Sequence, residues 1–110
     1  MASESGSEAG VDLNALLLRH PGASVLLRVC GPSMEGAGIR DGALLLVERG
    51  CAAVPGQIVV AHLAGGFTVK RLMRDGQQWR LEAAHPAYPP IPLVDGDSLW
   101  GVVRHVIQAF

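Results

Sequence analysis

One hydroxyl and one amine are the residues of this chain whose types and settings best suit chemistry. Ser33 lies in Val29-Cys30-Gly31-Pro32-Ser33-Met34-Glu35-Gly36-Ala37-Gly38-Ile39-Arg40-Asp41-Gly42, between two apolar runs. Four glycines and a proline make the backbone turn tightly there. The amine is Lys70, 37 residues further on, in Phe67-Thr68-Val69-Lys70-Arg71-Leu72. It is the single lysine, and the rest of the nine basic residues are arginines. Lysine gives up its proton when desolvated; arginine effectively cannot. The pair suits a Ser–Lys hydrolytic dyad, with Ser33 as nucleophile and neutral Lys70 as general base. Residue type alone also admits a plainer account, a turn-forming serine and a solvated strand lysine.

The dyad makes a demand on the fold. A free lysine has a pKa of ~10.4 and is almost wholly charged at neutral pH, whereas full burial lowers it to ~5–6. Leu44–Val47 and Ile58–Val60 are apolar enough to supply such a setting. Alternation puts Thr68, Lys70 and Leu72 on one strand face and Phe67, Val69 and Arg71 on the other. Neither face is purely apolar, so periodicity leaves the burial of Lys70 open. The Ser33 N–H is a candidate oxyanion donor, and Met34 is expected to pack beside the cleft. His20, His62, His85 and His105 have neither metal spacing nor the pattern of a nucleophile elbow, where glycine follows serine by two; Glu35 stands there. They read as surface or structural residues, Trp79, Trp100 and Tyr88 as core or interface aromatics, and Asp95 and Asp97 as turn residues.

The elements that must position the pair are short strands. Ala23–Cys30, Ala43–Glu48, Gln57–Leu63, Phe67–Met73 and Gln77–Ala83 read as strands, and Ala64-Gly65-Gly66 joins two of them in a hairpin. Asp41-Gly42, Pro55-Gly56, Asp75-Gly76 and Asp95-Gly96-Asp97 are turns. Pro86–Pro92 is an extended, irregular crossing. Ser98–Ala109 is apolar and β-branched, one bent strand or two. Asp12 can cap a short helix whose Leu13, Leu16 and Leu17 share a face and must rely on packing. Met1–Gly10, serine- and glutamate-rich, has little to bury and is expected to be a flexible arm.

Composition narrows the function. One domain fits 110 residues, with 49% hydrophobic and 17% charged residues and a net charge of −1. No basic run supports direct, sequence-specific DNA binding. Cys30 and Cys51 form neither a disulfide framework nor a zinc spacing, and read as reduced thiols of a cytoplasmic protein. No run is long enough to span a bilayer, and no signal-peptide pattern opens the chain.

Several blocks in one order carry a family resemblance: Gly31-Pro32-Ser33-Met34, Gly38-Ile39-Arg40-Asp41-Gly42, Gly56-Gln57-Ile58-Val59-Val60-Ala61, Phe67–Leu72 and Gly101-Val102-Val103-Arg104-His105-Val106. With the entry Val11-Asp12-Leu13-Asn14 to His20-Pro21, they cover nearly everything after Gly10. The chain resembles the self-cleaving LexA/UmuD (S24) family of serine peptidases, and its UmuD-like branch most closely. Ala43 and Gln57 stand where that family often has an acidic residue. The resemblance implies a compact, mainly β, mostly antiparallel LexA/signal-peptidase-like domain over residues 11–110 with one short N-terminal helix. It implies a Ser33–Lys70 autopeptidase site with Lys70 buried, and neither cofactor nor metal. It further implies an SOS-response protein whose cleavage a recombinase filament stimulates after DNA damage. Its partners would be a second copy, in a homodimer, and the Y-family polymerase subunit of an error-prone translesion polymerase.

The family cuts an Ala-Gly or Cys-Gly bond well upstream of the nucleophile. Ala9-Gly10 lies closer to Ser33 than that habit, so a short, processed-like form lacking the cleavable arm is expected. The competing readings are a non-catalytic dimerisation module whose peptidase site is a relic, and the C-terminal domain of a LexA-type or phage repressor. The run Trp100–Phe110 argues for the dimer, because an exposed strand of that kind needs a partner.

Overall fold

The computed structural model describes residues 10–110, so all of the expected arm but Gly10 lies outside the described residues. The short apolar runs form seven strands: β1 (Ser24–Arg28), β2 (Leu44–Glu48), β3 (Ile58–Leu63), β4 (Gly66–Asp75), β5 (Gln78–Glu82), β6 (Ile91–Pro92) and β7 (Ser98–Ile107). They make one sheet in the order β1-β2-β7-β3-β4-β5-β6. Every neighbouring pair is antiparallel. This is the mainly β, antiparallel fold that the sequence implies.

Two expectations change. The first concerns α1 (Leu13–Leu17), the short helix. The Asp12 carboxylate caps it, accepting from the N–H groups of Asn14 at 3.0 Å and Ala15 at 3.4 Å. Its leucine face is not packed: Leu13 and Leu16 are each 64% exposed and no residue of the helix is buried. The cap, rather than burial, holds this single turn.

The second concerns the run at the C-terminal end. It is not a lone edge strand: every part of β7 has a neighbour within the sheet, while Val103–Ile107 keeps one side without a strand partner among the described residues. Ser98–Val102 pairs with β3 and Val102–Ile107 pairs with β2, so the strand crosses the middle of the sheet and, among the described residues, Val102 alone has a strand partner on both sides. A β-branched, apolar run is what a central strand requires. β7 serves both neighbours by bulging twice. The register with β2 passes from Leu46↔His105 to Val47↔Val103, skipping Arg104. The register with β3 passes from Val60↔Gly101 to Ala61↔Leu99, skipping Trp100. Each bulge bends the strand and re-aims a side chain. At one bulge the Arg104 guanidinium donates to buried Glu48, Nε to Oε1 at 3.1 Å, with His20 Nε2 3.8 Å from the other carboxylate oxygen. Burial pulls the Glu48 carboxyl upward, but the hydrogen bond and charge of Arg104, with the charges of Arg19 and His20, hold it below its ordinary value.

The sheet buries side chains on both faces. Along β3, Val60 joins a cluster with Val29, Met34, Ile39, Leu45 and Val47, whereas Val59 and Ala61 join Leu72, Leu81 and Val102. Met34 and Ile39, each 1% exposed, root the loop between β1 and β2 in the first cluster. Burying such a side chain stabilises by about 1.5–3 kcal/mol.

Candidate active site

The loop Val29–Ala43 carries Ser33 and is tied down from several sides. Its base closes through the Val29 N–H to the Ala43 carbonyl at 2.8 Å and the Gly42 N–H to the Val29 carbonyl at 2.9 Å. Within it the Asp41 carboxylate accepts from the Gly31 N–H at 2.7 Å. Glu35–Ala37 form a 3₁₀ turn that Gly38 ends in the left-handed region, at φ 84°. The chain just past β5 holds the loop from outside. The Ala84 N–H donates to the Ser33 carbonyl at 2.8 Å, and the Gly36 N–H donates to the Ala84 carbonyl at 2.7 Å. A Cβ at position 36 would lie 2.6 Å from that carbonyl oxygen, so only glycine permits this approach.

β4 supplies the amine. Lys70 sits opposite Val59 in the β3–β4 ladder and is 7% exposed. Its Nζ lies 3.0 Å from Ser33 Oγ and 2.6 Å from Thr68 Oγ1. The structure therefore brings the two sequence-derived site residues into direct contact. Burial pushes the Lys70 amine below the ordinary lysine value. A neutral amine has two N–H donors and one lone pair. Thr68 Oγ1 accepts one N–H, which leaves the lone pair free to accept from the Ser33 hydroxyl.

Ser33 and Lys70 both open onto a cleft of about 480 Å³. Its apolar walls include Leu27 on β1, Val29 at the start of the loop, Phe67 on β4, Trp100 on β7 and Tyr88. Met34 lines it too, beside the cleft as expected, and is also part of the core. None of the four histidines lines the cleft. Among the described residues the Ser33 N–H donates to no protein acceptor.

Two participants were not singled out from sequence. Thr68 shares a strand face with Lys70, and an i, i+2 pair on one face was the available signal. Ala84 gave none, since its part is played by backbone atoms alone.

The Peptidase S24-like family model matches residues 1–104. The chain belongs to the S24-like peptidase family. Among S24-like relatives, it is 39% identical over 97 residues to Protein MucA of Salmonella typhimurium, covering 86% of this chain and 66% of that one. It is 36% identical over 110 residues to Protein ImpA of Escherichia coli, covering 93% and 70%. It is 52% identical over 66 residues to the LexA repressor of Ralstonia nicotianae, covering 60% and 31%. The chain thus spans about two thirds of the length of MucA and ImpA, and a smaller share of the repressor. Among the described residues no helix is long and apolar enough to cross a membrane.

Proposed function

We propose that this chain is a UmuD-like serine peptidase in which Ser33 is the nucleophile and Lys70 the general base. The carrying observation is the 3.0 Å contact between Ser33 Oγ and the Nζ of a buried lysine. In the reaction Lys70 accepts the hydroxyl proton as Oγ attacks a peptide carbonyl. The Ser33 N–H, not otherwise engaged among the described residues, faces the developing oxyanion. Lys70 then gives its proton to the departing amine, leaving an acyl-enzyme. Water, activated by the same amine, releases the acid. The apolar cleft fits an extended segment with small apolar residues at the cut, such as an Ala-Gly bond.

At the level of the whole protein, the chain acts as a dimeric accessory subunit of an error-prone translesion polymerase, joined to a Y-family polymerase subunit. A recombinase filament stimulates its cleavage in the SOS response, in the cytoplasm. The long alignments to MucA and ImpA support this reading. The higher identity to a LexA repressor over a shorter stretch supports a second one, the catalytic domain of a repressor.

A labelled peptide carrying an Ala-Gly bond, incubated with the purified chain, tests the peptidase. The wild type is expected to cut it and Ser33→Ala is not; cutting by Ser33→Ala overturns the assignment. Co-sedimentation with a purified Y-family polymerase subunit separates the accessory subunit from the repressor domain.

A further inference from the structure

The segment that follows β7 returns to the loop bearing Ser33 and grips its second half, whereas Ala84 holds the first half. Gln108 does this with both ends of its amide. Its Oε1 accepts from the Arg40 N–H at 2.8 Å, and its Nε2 donates to the Gly38 carbonyl at 2.8 Å. One partner only donates and the other only accepts, so the amide has one orientation that serves both. The Arg40 guanidinium answers by donating to the Ala109 carbonyl. These contacts join residues nearly 70 positions apart. Between Gly38 and Ser33 the loop has little slack. The N–H groups of Ala37 and Ile39 both donate to the Met34 carbonyl, and the Gly38 N–H donates to the Glu35 carbonyl. A displacement at Gly38–Arg40 is therefore passed to Met34, the residue beside the nucleophile.

We infer that Gln108 is a positioning residue for Ser33: its bidentate grip on Gly38 and Arg40 holds the nucleophile loop against Lys70. The inference rests on Ser33 being the nucleophile, and its test separates the two. Gln108→Ala is compared with the wild type and with Gln78→Ala, an exposed glutamine of β5 whose side chain, among the described residues, bonds only to the carbonyl of its neighbour Trp79. Peptide cleavage gives kcat, KM and a pH profile; amide hydrogen exchange reads residues 34–40. Gln108→Ala is expected to lower kcat about tenfold, within the range that misplacement of a reacting group costs. KM and the pH midpoint should stay within twofold and a few tenths of a unit, because neither Gln108 nor its partners Gly38 and Arg40 lines the cleft and none of them bonds to Lys70. Exchange should quicken in residues 34–40 and not in β3 or β4, and Gln78→Ala should match the wild type. Unchanged exchange in Gln108→Ala overturns the grip, whether or not the wild type cleaves. Faster exchange with unchanged kcat overturns the positioning role. A wild type that never cleaves sinks the peptidase reading, and the grip is then decided by exchange alone.

Discussion

Lys70 is buried, hydrogen-bonded and close to a hydroxyl, and substitutions can separate those properties. Lys70→Arg keeps the charge but not the base, since arginine does not surrender its proton. Cleavage should fall by ~10²–10⁴, the usual worth of general-base assistance, and Lys70→Ala should be as inactive. Wild-type cleavage should climb with pH, with a midpoint below the ordinary lysine value because burial disfavours the charged amine. The same shift has a sign for stability. Where the folded-state pKa lies below the unfolded one, the unfolded chain holds more protons in the interval between them. Stability must then rise with pH from the folded value of Lys70 up to ~10.4. Urea midpoints across that interval should rise for the wild type and lose this component in Lys70→Ala. Thr68→Val removes the acceptor that orients the amine. Its pH midpoint should drop further, because the charged form loses a partner, while the plateau rate falls about tenfold, less than loss of the base itself. An unchanged plateau would mean that Thr68 is only a neighbour.

Among the elements, the loop and β7 carry the strictest requirements. Gly36→Ala would drive a methyl into the Ala84 carbonyl. The expected cost is about 1–3 kcal/mol, read from denaturant midpoints, together with loss of cleavage as the Ser33 carbonyl leaves its donor. At the β7 bulge, Arg104→Ala leaves the Glu48 carboxylate buried without its cation. The variant should unfold at lower urea. The carboxyl is depressed in the folded state, so its contribution is present above the unfolded glutamate value and disappears as pH falls through the folded one. Arg104→Ala should lose that part of the acid sensitivity. The strands and turns were legible in the sequence because alternation and Asp-Gly or Pro-Gly pairs are local signals. Gly56, for instance, takes φ 93° in its turn as Pro55-Gly56 predicts. The role of Gly36 was not legible, since it depends on a carbonyl brought in from the end of another strand. The Ser33–Lys70 contact was anticipated by residue type and resemblance. The burial that gives it chemical meaning came only with the fold, as alternation along β4 left both faces mixed.

For the molecule as a whole, the open question is association. Two open strand sides could support the proposed homodimer: Val103–Ile107 of β7, paired with β2 alone, and β1, whose outer side has no strand neighbour among the described residues. Val25 and Leu26 on it are 37% and 55% exposed. Sedimentation at micromolar concentration is expected to give a dimer, and Leu26→Arg to shift it toward monomer; a wild type that is purely monomeric would remove the proposal. The two ends of the sheet are unlike. The far end is β6, two residues long and finished by Pro92, which has no N–H to offer. A strand added at β1 by a second copy, in two-fold fashion, would cover the terminal edge at that end of each sheet and leave the blunt one at the other end. In such a pair the proline at the rim would act as a terminator at its own end of the sheet, denying a further strand the N–H with which it would pair.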